Sequence, residues 1–190
     1  NRVGGLLNSP DSFVASNAQN LNEENGEGLD LSTQFSFDYG SGSLVTDLRA
    51  AYLLSHERQT SAVQPLCEDK GTTSEPEWRL NGQVGWQAAK WSTTLSFRHL
   101  GSTTDIVGGR IDGTCDTAGE EFSVDSYLEF NLRGTYTFGD STELAVNIIN
   151  LTDEEPPFSK EAAGEWPWFD QSLYDPRGTR YTISLTHEFF

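Results

Sequence analysis

The sequence predicts an all-β fold, an antiparallel transmembrane β-barrel segment of about seven strands. Three observations carry that prediction. Long stretches alternate apolar and polar residues with the period of two that strand side chains follow. The connections between them are alternately short and long, and aromatic residues gather beside the short ones. No apolar run approaches the ~20 residues that a membrane-spanning helix needs, and mean hydropathy is -0.51. Alternation halves the mean hydropathy of a strand, so a barrel wall escapes a hydropathy scan.

The elements follow in order. Residues 1–16, with Gly4-Gly5 and Ser9-Pro10-Asp11 as turn formers, read as loop. The start has neither an initiator Met nor a signal-peptide pattern, which suggests a mature or interior piece of a longer chain. A first strand is expected over about 17–38, with Leu29, Leu31, Thr33, Phe35 and Phe37 opposite Asp30, Ser32, Gln34, Ser36 and Asp38. Tyr39-Gly-Ser-Gly-Ser43 turns it into a second strand over about 43–56, whose Leu44, Leu48, Tyr52 and Leu54 face away from Asp47 and Arg49. A polar loop holding Cys67 separates these from strands over about 77–88 and 91–100, joined at Ala88-Ala-Lys90. A second polar loop holds Gly108-Gly109, Asp112-Gly113 and Cys115. It leads to strands over about 124–138 and 142–152, joined at Gly139-Asp-Ser141. A third loop, about 154–178, precedes the last strand, about 179–190, where Tyr181, Ile183, Leu185 and Phe189 alternate with Arg180, Thr182, Ser184 and Glu188.

Outer-membrane barrels carry short turns on the periplasmic rim and long loops outside. The same pattern here puts the C-terminus in the periplasm and Cys67, Cys115 and Trp166 on extracellular loops. Phe37, Tyr39, Trp86, Trp91, Tyr136, Phe138 and Phe189 would form one aromatic girdle, with Trp78, Tyr127 and Tyr181 in the opposite one. By parity Asp47, Arg49, Arg79, Arg98, Glu129, Arg133 and Glu143 face the lumen, where they pair with a plug or with each other; such charges cannot face lipid. An odd number of strands cannot close alone, since bacterial single-chain barrels have even counts. Either residues 1–15 supply an eighth strand, or the chain belongs to a larger barrel. Strands longer than the ~9–11 residues that cross a bilayer favour the larger one.

Charge and motifs exclude several functions. A formal charge of -17, from 29 acids against 12 bases, rules out a nucleic-acid binder, because nothing could neutralise a run of phosphates. His56, His99 and His187 are scattered with no partner at ligand spacing, and no nucleophile-elbow, zinc-protease or phosphate-loop pattern occurs. We therefore expect no catalytic residue, no metal site and no cofactor, and the chain does not read as an enzyme. Asp153-Glu-Glu155 reads as a solvated acid cluster rather than a cation site. Cys67 and Cys115 lie on neighbouring loops of one rim, either bridged or as two exposed thiols. In Glu165-Trp-Pro-Trp-Phe-Asp170, the rings of Trp166, Trp168 and Phe169 either stack on a planar ligand, with Asp170 or Arg177 as polar partners, or anchor the loop over the barrel mouth.

Asn150-Leu-Thr-Asp-Glu-Glu-Pro-Pro-Phe158, followed by Tyr174-Asp-Pro-Arg-Gly-Thr-Arg-Tyr181 and an aromatic end, resembles the C-terminal part of TonB-dependent outer-membrane receptors. Asn20-Leu-Asn-Glu-Glu-Asn-Gly-Glu-Gly-Leu-Asp-Leu31 and Pro76-Glu-Trp-Arg79 are similar to strand starts of the same family, in the right order. One departure is visible: alternation puts Phe189 outward and leaves Phe190 one step beyond it. The resemblance implies the last third of a plugged barrel of about 22 strands, working as an active-transport receptor. Its ligand would be a metal chelate or siderophore, cobalamin or an oligosaccharide. It also implies the partners: the N-terminal plug and remaining strands of the same receptor, outer-membrane lipid and lipopolysaccharide of a Gram-negative cell, and the inner-membrane TonB complex, reached through a plug that lies outside this chain. A small eight-stranded barrel acting as passive pore or adhesin, and a soluble ligand-binding β-sandwich, are the alternatives.

Overall fold

The computed structural model of the chain describes residues 2–3, 13–14, 23–59, 64–72, 75–160 and 168–189. Among them the fold is all-β and antiparallel, with no helix. Twelve strands run in chain order: β1 Arg2–Val3, β2 Phe13–Val14, β3 Glu24–Tyr39, β4 Gly42–Arg58, β5 Cys67–Glu68, β6 Trp78–Ala88, β7 Trp91–Leu100, β8 Thr103–Ile106, β9 Glu121–Val124, β10 Tyr127–Phe138, β11 Thr142–Ile149 and β12 Arg180–His187. One 8-stranded sheet has the order β12-β11-β10-β7-β6-β4-β3, with β5 added beside β4. Connections 40–41, 89–90 and 139–141 lie at one end of this sheet, and 59–77, 101–126 and 150–179 at the other.

Residues paired across the sheet share a face, so the pairing sorts every strand residue. One rung of the apolar face runs Phe35, Thr46, Val84, Leu95, Leu132, Ile148, Tyr181. Another runs Thr33, Leu48, Gly82, Phe97, Phe130. Gly82 belongs there because the Phe97 ring lies over it and a Cβ would clash with that ring. The other face is polar, with Gln34, Asp47, Gln83, Ser96 and Asn131 in one rung. Outer strands β3 and β12 each pair on one side only among the described residues.

A β-bulge between Glu27 and Gly28 sets Leu53 against Gly28 but Ser55 against Glu27, so Leu54 is the extra residue. Beyond it the parity of β4 is reversed. His56 and Arg58, which would otherwise follow Tyr52 onto the apolar face, pair with Gly26 and Glu24 on the polar face.

The structure refines the strand limits. The first strand begins at Glu24; residues 17–22 of the expected span lie outside the described residues. β11 stops at Ile149 because Asn150 turns the chain with φ 53. The expected strand over 124–138 is β10, which starts at Tyr127; Val124 ends β9, which pairs with β8 in a separate hairpin within the loop. Residues 1–16 hold the small β1–β2 pair, and neither of these strands joins β12.

The loop layer and the polar wall as candidate functional site

The described residues of the three long connections pack into one layer at their end of the sheet. Cys67 and Cys115 are joined in a disulfide, Cα atoms 5.4 Å apart, which ties the first loop to the second. Beneath it Asp69, itself buried, accepts from Arg58 at 3.1 Å and Arg110 at 2.7 Å. Arg110 also donates to the carbonyls of Cys115 and Glu68. Burial pushes the Glu68 carboxyl up, but the His56 and Lys70 backbone N–H groups and the Ser55 hydroxyl outweigh it and hold the group below its usual value. The second loop is latched to the third by Asp105, fully buried, which accepts from the Ser159 hydroxyl at 3.1 Å and the Lys160 backbone N–H.

A polar cleft of about 450 Å³ lies between the first two loops, lined by Glu68, Lys70, Thr72, Arg110, Asp116 and Glu121 among others. Its two basic groups are committed to carboxylates, Arg110 to Asp69 and Lys70 to Glu77 at 3.6 Å.

The third loop folds over the polar face. Tyr174 and Phe169 are buried against Leu100 and Tyr127, with the Tyr174 and Tyr127 rings edge-to-face at 5.1 Å. Arg98 reaches up to donate to the Leu173 carbonyl at 2.5 Å. Burial, then the charge of Asp170, push the Tyr174 phenol up, so it stays protonated.

The stretches that carry the family resemblance meet where β11 ends and β12 begins. Asn150 and Glu154 bond reciprocally, Asn150 Nδ2 to the Glu154 carbonyl and the Glu154 N–H to Asn150 Oδ1, both at 2.8 Å. Asp153 Oδ1 accepts from the Thr179 N–H at 2.9 Å. Gly178 has φ +61, and a Cβ there would stand 2.7 Å from Asp153 Oδ1, so the position requires glycine. Asp175 takes a fork from Arg177 and a further contact from Arg180 at 2.9 Å. Hydrogen bonds from Arg177 and the Arg180 charge hold its carboxyl far below the usual range against the opposing effect of burial. These residues build a corner that aims β12.

The residues singled out in the sequence separate accordingly. Trp166 lies outside the described residues. Phe169 is an anchor within the cluster, and Asp170 caps its own turn, accepting from the Ser172 N–H at 2.8 Å and hydroxyl at 2.6 Å. Arg177 is bound to Asp175, two residues away. Trp168 is 52% exposed at φ 71. Tyr127, expected in the second girdle, is fully buried on the polar face; β10 starts there and its first outward residue is Leu128.

Along the wall Arg49 bonds Asp47 at 3.2 Å, Arg79 bonds Glu75 at 3.2 Å, and Glu129 accepts from Tyr127 and Asn131. Arg133 lies between Thr94 and Asn147, and Glu143 between Thr137 and Thr186. At the opposite end the apolar face carries stacked Phe37 and Tyr39, edge-to-face Tyr136 and Phe138, and Phe189 against His187, with Trp91 beside Tyr136 and Trp86 beside Leu44.

Sequence reasoning missed Arg110, Asp105 and the inward fold of Tyr174. Only Tyr174 had a signal, its place in the Tyr-Asp-Pro-Arg-Gly stretch. Compared with protein-family models, curated proteins and solved structures, the chain finds no match.

Proposed function

We propose that this chain is the C-terminal part of the barrel wall of a TonB-dependent outer-membrane receptor, which imports a scarce ligand such as a metal chelate, cobalamin or an oligosaccharide. The observation that carries the reading is the apolar face. On β3 the residues of that face are apolar apart from Thr33 from Leu29 to Tyr39 and turn polar above, at Glu27 and Asn25. That stretch rises about 33 Å along the strand, or about 24 Å across a bilayer at a tilt near 45°, close to the ~25 Å apolar band of outer-membrane barrels. Tyr52 and Trp78, with rings 4.4 Å apart, mark its upper margin, and Tyr39, Trp91 and Phe138 its lower one. Continuous exposed apolar area of this size is foreign to a water-soluble surface.

The polar face then lines the lumen, and the loop layer closes over its outer mouth. Strands β3 and β12 are the margins at which other strands of the receptor join. Ligand rests on the loops and plug, and the inner-membrane complex supplies the energy that displaces the plug; this segment contributes wall and loops and does not transport alone.

Fractionation of the source cells, with an antibody against the loop layer, tests the reading. The expected polypeptide needs detergent, migrates in a heat-modifiable way and is several times larger than 21.0 kDa. Ligand accumulation through it should stop when an uncoupler collapses the inner-membrane gradient. A heat-modifiable band at 21.0 kDa would make the chain a small self-contained barrel. Solubility in buffer without detergent would make it a sandwich.

A further inference from the structure

We infer that the ligand admitted by this wall and loop layer is an uncharged polyhydroxylated molecule, a neutral oligosaccharide, with one sugar ring stacked on Trp168; the inference rests on the receptor reading above. Three independent observations lead there.

The first is charge. Each described Lys and Arg of the loop layer is already in an ion pair: Arg58 and Arg110 with Asp69, Lys70 with Glu77, Lys160 with Glu120, and Arg177 and Arg180 with Asp175. Glu57, Asp112, Asp116, Glu121, Glu154 and Glu155 carry no ion pair among the described residues. Among the described residues of the layer, an anionic chelate meets surplus carboxylates and no Lys or Arg without an ion pair. Like charges repel at contact distance, and more strongly where water is excluded. A neutral ligand has nothing to lose.

The second is the wall under the layer. In the rung that also holds Asp47, Gln34, Gln83, Ser96 and Asn131, with the neighbouring Asn81, present amides and a hydroxyl, groups that both donate and accept. Sugar hydroxyls also do both, so they find a partner at each step. The charged residues of the wall come in both signs, as Asp47 with Arg49 and Glu129 in the rung of Arg98.

The third is Trp168 itself. At φ 71 it occupies the left-handed region, which is costly for a residue with a Cβ. Two contacts on its C-terminal side hold it: the Ser159 N–H donates to the Trp168 carbonyl at 2.9 Å, and the next residue, Phe169, is sunk into the Leu100–Tyr127–Tyr174 cluster. With Phe169 buried, the indole is left exposed on the loop layer. An exposed flat ring beside an anchored residue suits the C–H face of a sugar, which needs no charge to bind.

The test is calorimetric titration of the full receptor in detergent. The probes are neutral malto-, xylo-, cello- and chito-oligosaccharides, oligogalacturonates, a ferric catecholate, a corrinoid, and polysaccharide released from the lipopolysaccharide of the same cells. At least one neutral oligosaccharide should bind tightest, and its affinity should stay unchanged as salt rises to about 0.5 M, where charge-driven binding is screened. Trp168→Ala should weaken it about tenfold, the loss of one stacking platform, while Trp168→Phe keeps most of the affinity. Tightest binding of the catecholate, corrinoid or galacturonate overturns the inference. So does binding of the released polysaccharide alone, binding of no neutral sugar, or an unchanged affinity in Trp168→Ala. Uptake separates the two levels. A neutral sugar that binds without uncoupler-sensitive uptake leaves the ligand class standing and removes the receptor reading; energised uptake of a ferric catecholate does the reverse.

Discussion

The strands and the loops of this protein reverse the usual allocation of burial. Ile183 and Leu185, in the middle of a strand, are 73% and 69% exposed, whereas Tyr127 and Cys67, beside the long connections, are 0% and 1% exposed. The buried apolar cluster of Leu100, Tyr127, Phe169 and Tyr174 joins the top of the wall to a loop rather than one sheet to another. On the receptor reading proposed above, the two regions would answer to different solvents. The loop layer carries its own core, its own disulfide and its own buried carboxylates, as a water-facing structure must. The sheet has hydrogen bonds along its strands but leaves the apolar side chains of one face uncovered.

The contrast can be broken experimentally, the largest effect first. Cys67→Ser with Cys115→Ser opens a link spanning 48 residues, which chain-entropy reasoning equates with about 4 kcal/mol. Hydrogen exchange should show that loss in the loop-layer amides, with the sheet unchanged; equal loss in both would mean that the regions are one cooperative unit. Ile183→Arg tests the sheet. In a bilayer it should cost about 2–4 kcal/mol in urea unfolding, whereas on a water-facing surface the cost would stay within about 0.5 kcal/mol. Gly178→Ala probes the corner between them and should cost about 1–2 kcal/mol, from the left-handed φ and the Asp153 contact together.

The smallest effect is a pH dependence. Asp175 has a folded-state pKa depressed by Arg177 and Arg180, so its contribution to folding is fully present above the unfolded value of about 3.9. It is lost as pH falls through the depressed folded value. Protection of the Thr179 and Arg180 amides should accordingly hold from neutral pH to about 4 and fall only in stronger acid, and Asp175→Asn should remove that acid-dependent step.

The sheet was legible in the sequence because its information is local. Leu29 to Tyr39 and Tyr127 to Phe138 declare a strand through alternation alone, and Gly40, Lys90 and Gly139 mark where each turns. The loop layer was not legible, since Arg110 meets Asp69 and Asp105 meets Ser159 across separations that leave no periodic trace. The cysteine pair was visible only as two candidates on one rim. Strand β8, Thr103–Ile106, had a faint signal in the Gly108-Gly109 turn that follows it, but four residues are too few for a period to assert itself. The local bonds of Asp170 and Arg177 to residues two positions away were equally hidden, since polar residues near aromatics look the same in sequence whether they turn the chain or await a ligand.

The bulge at Leu54 works as a phase shift between two codes written on one strand. Below it, β4 obeys an alternation fixed by the wall; above it, the same strand obeys the loops, and His56 and Arg58 reach Glu24 and Asp69. Deleting that one residue would leave every rung from Tyr52 downward in register and turn both side chains outward. The loops of such a protein can therefore diverge by insertion without renegotiating the wall, because a single-residue step at the boundary resets the parity for everything beyond it.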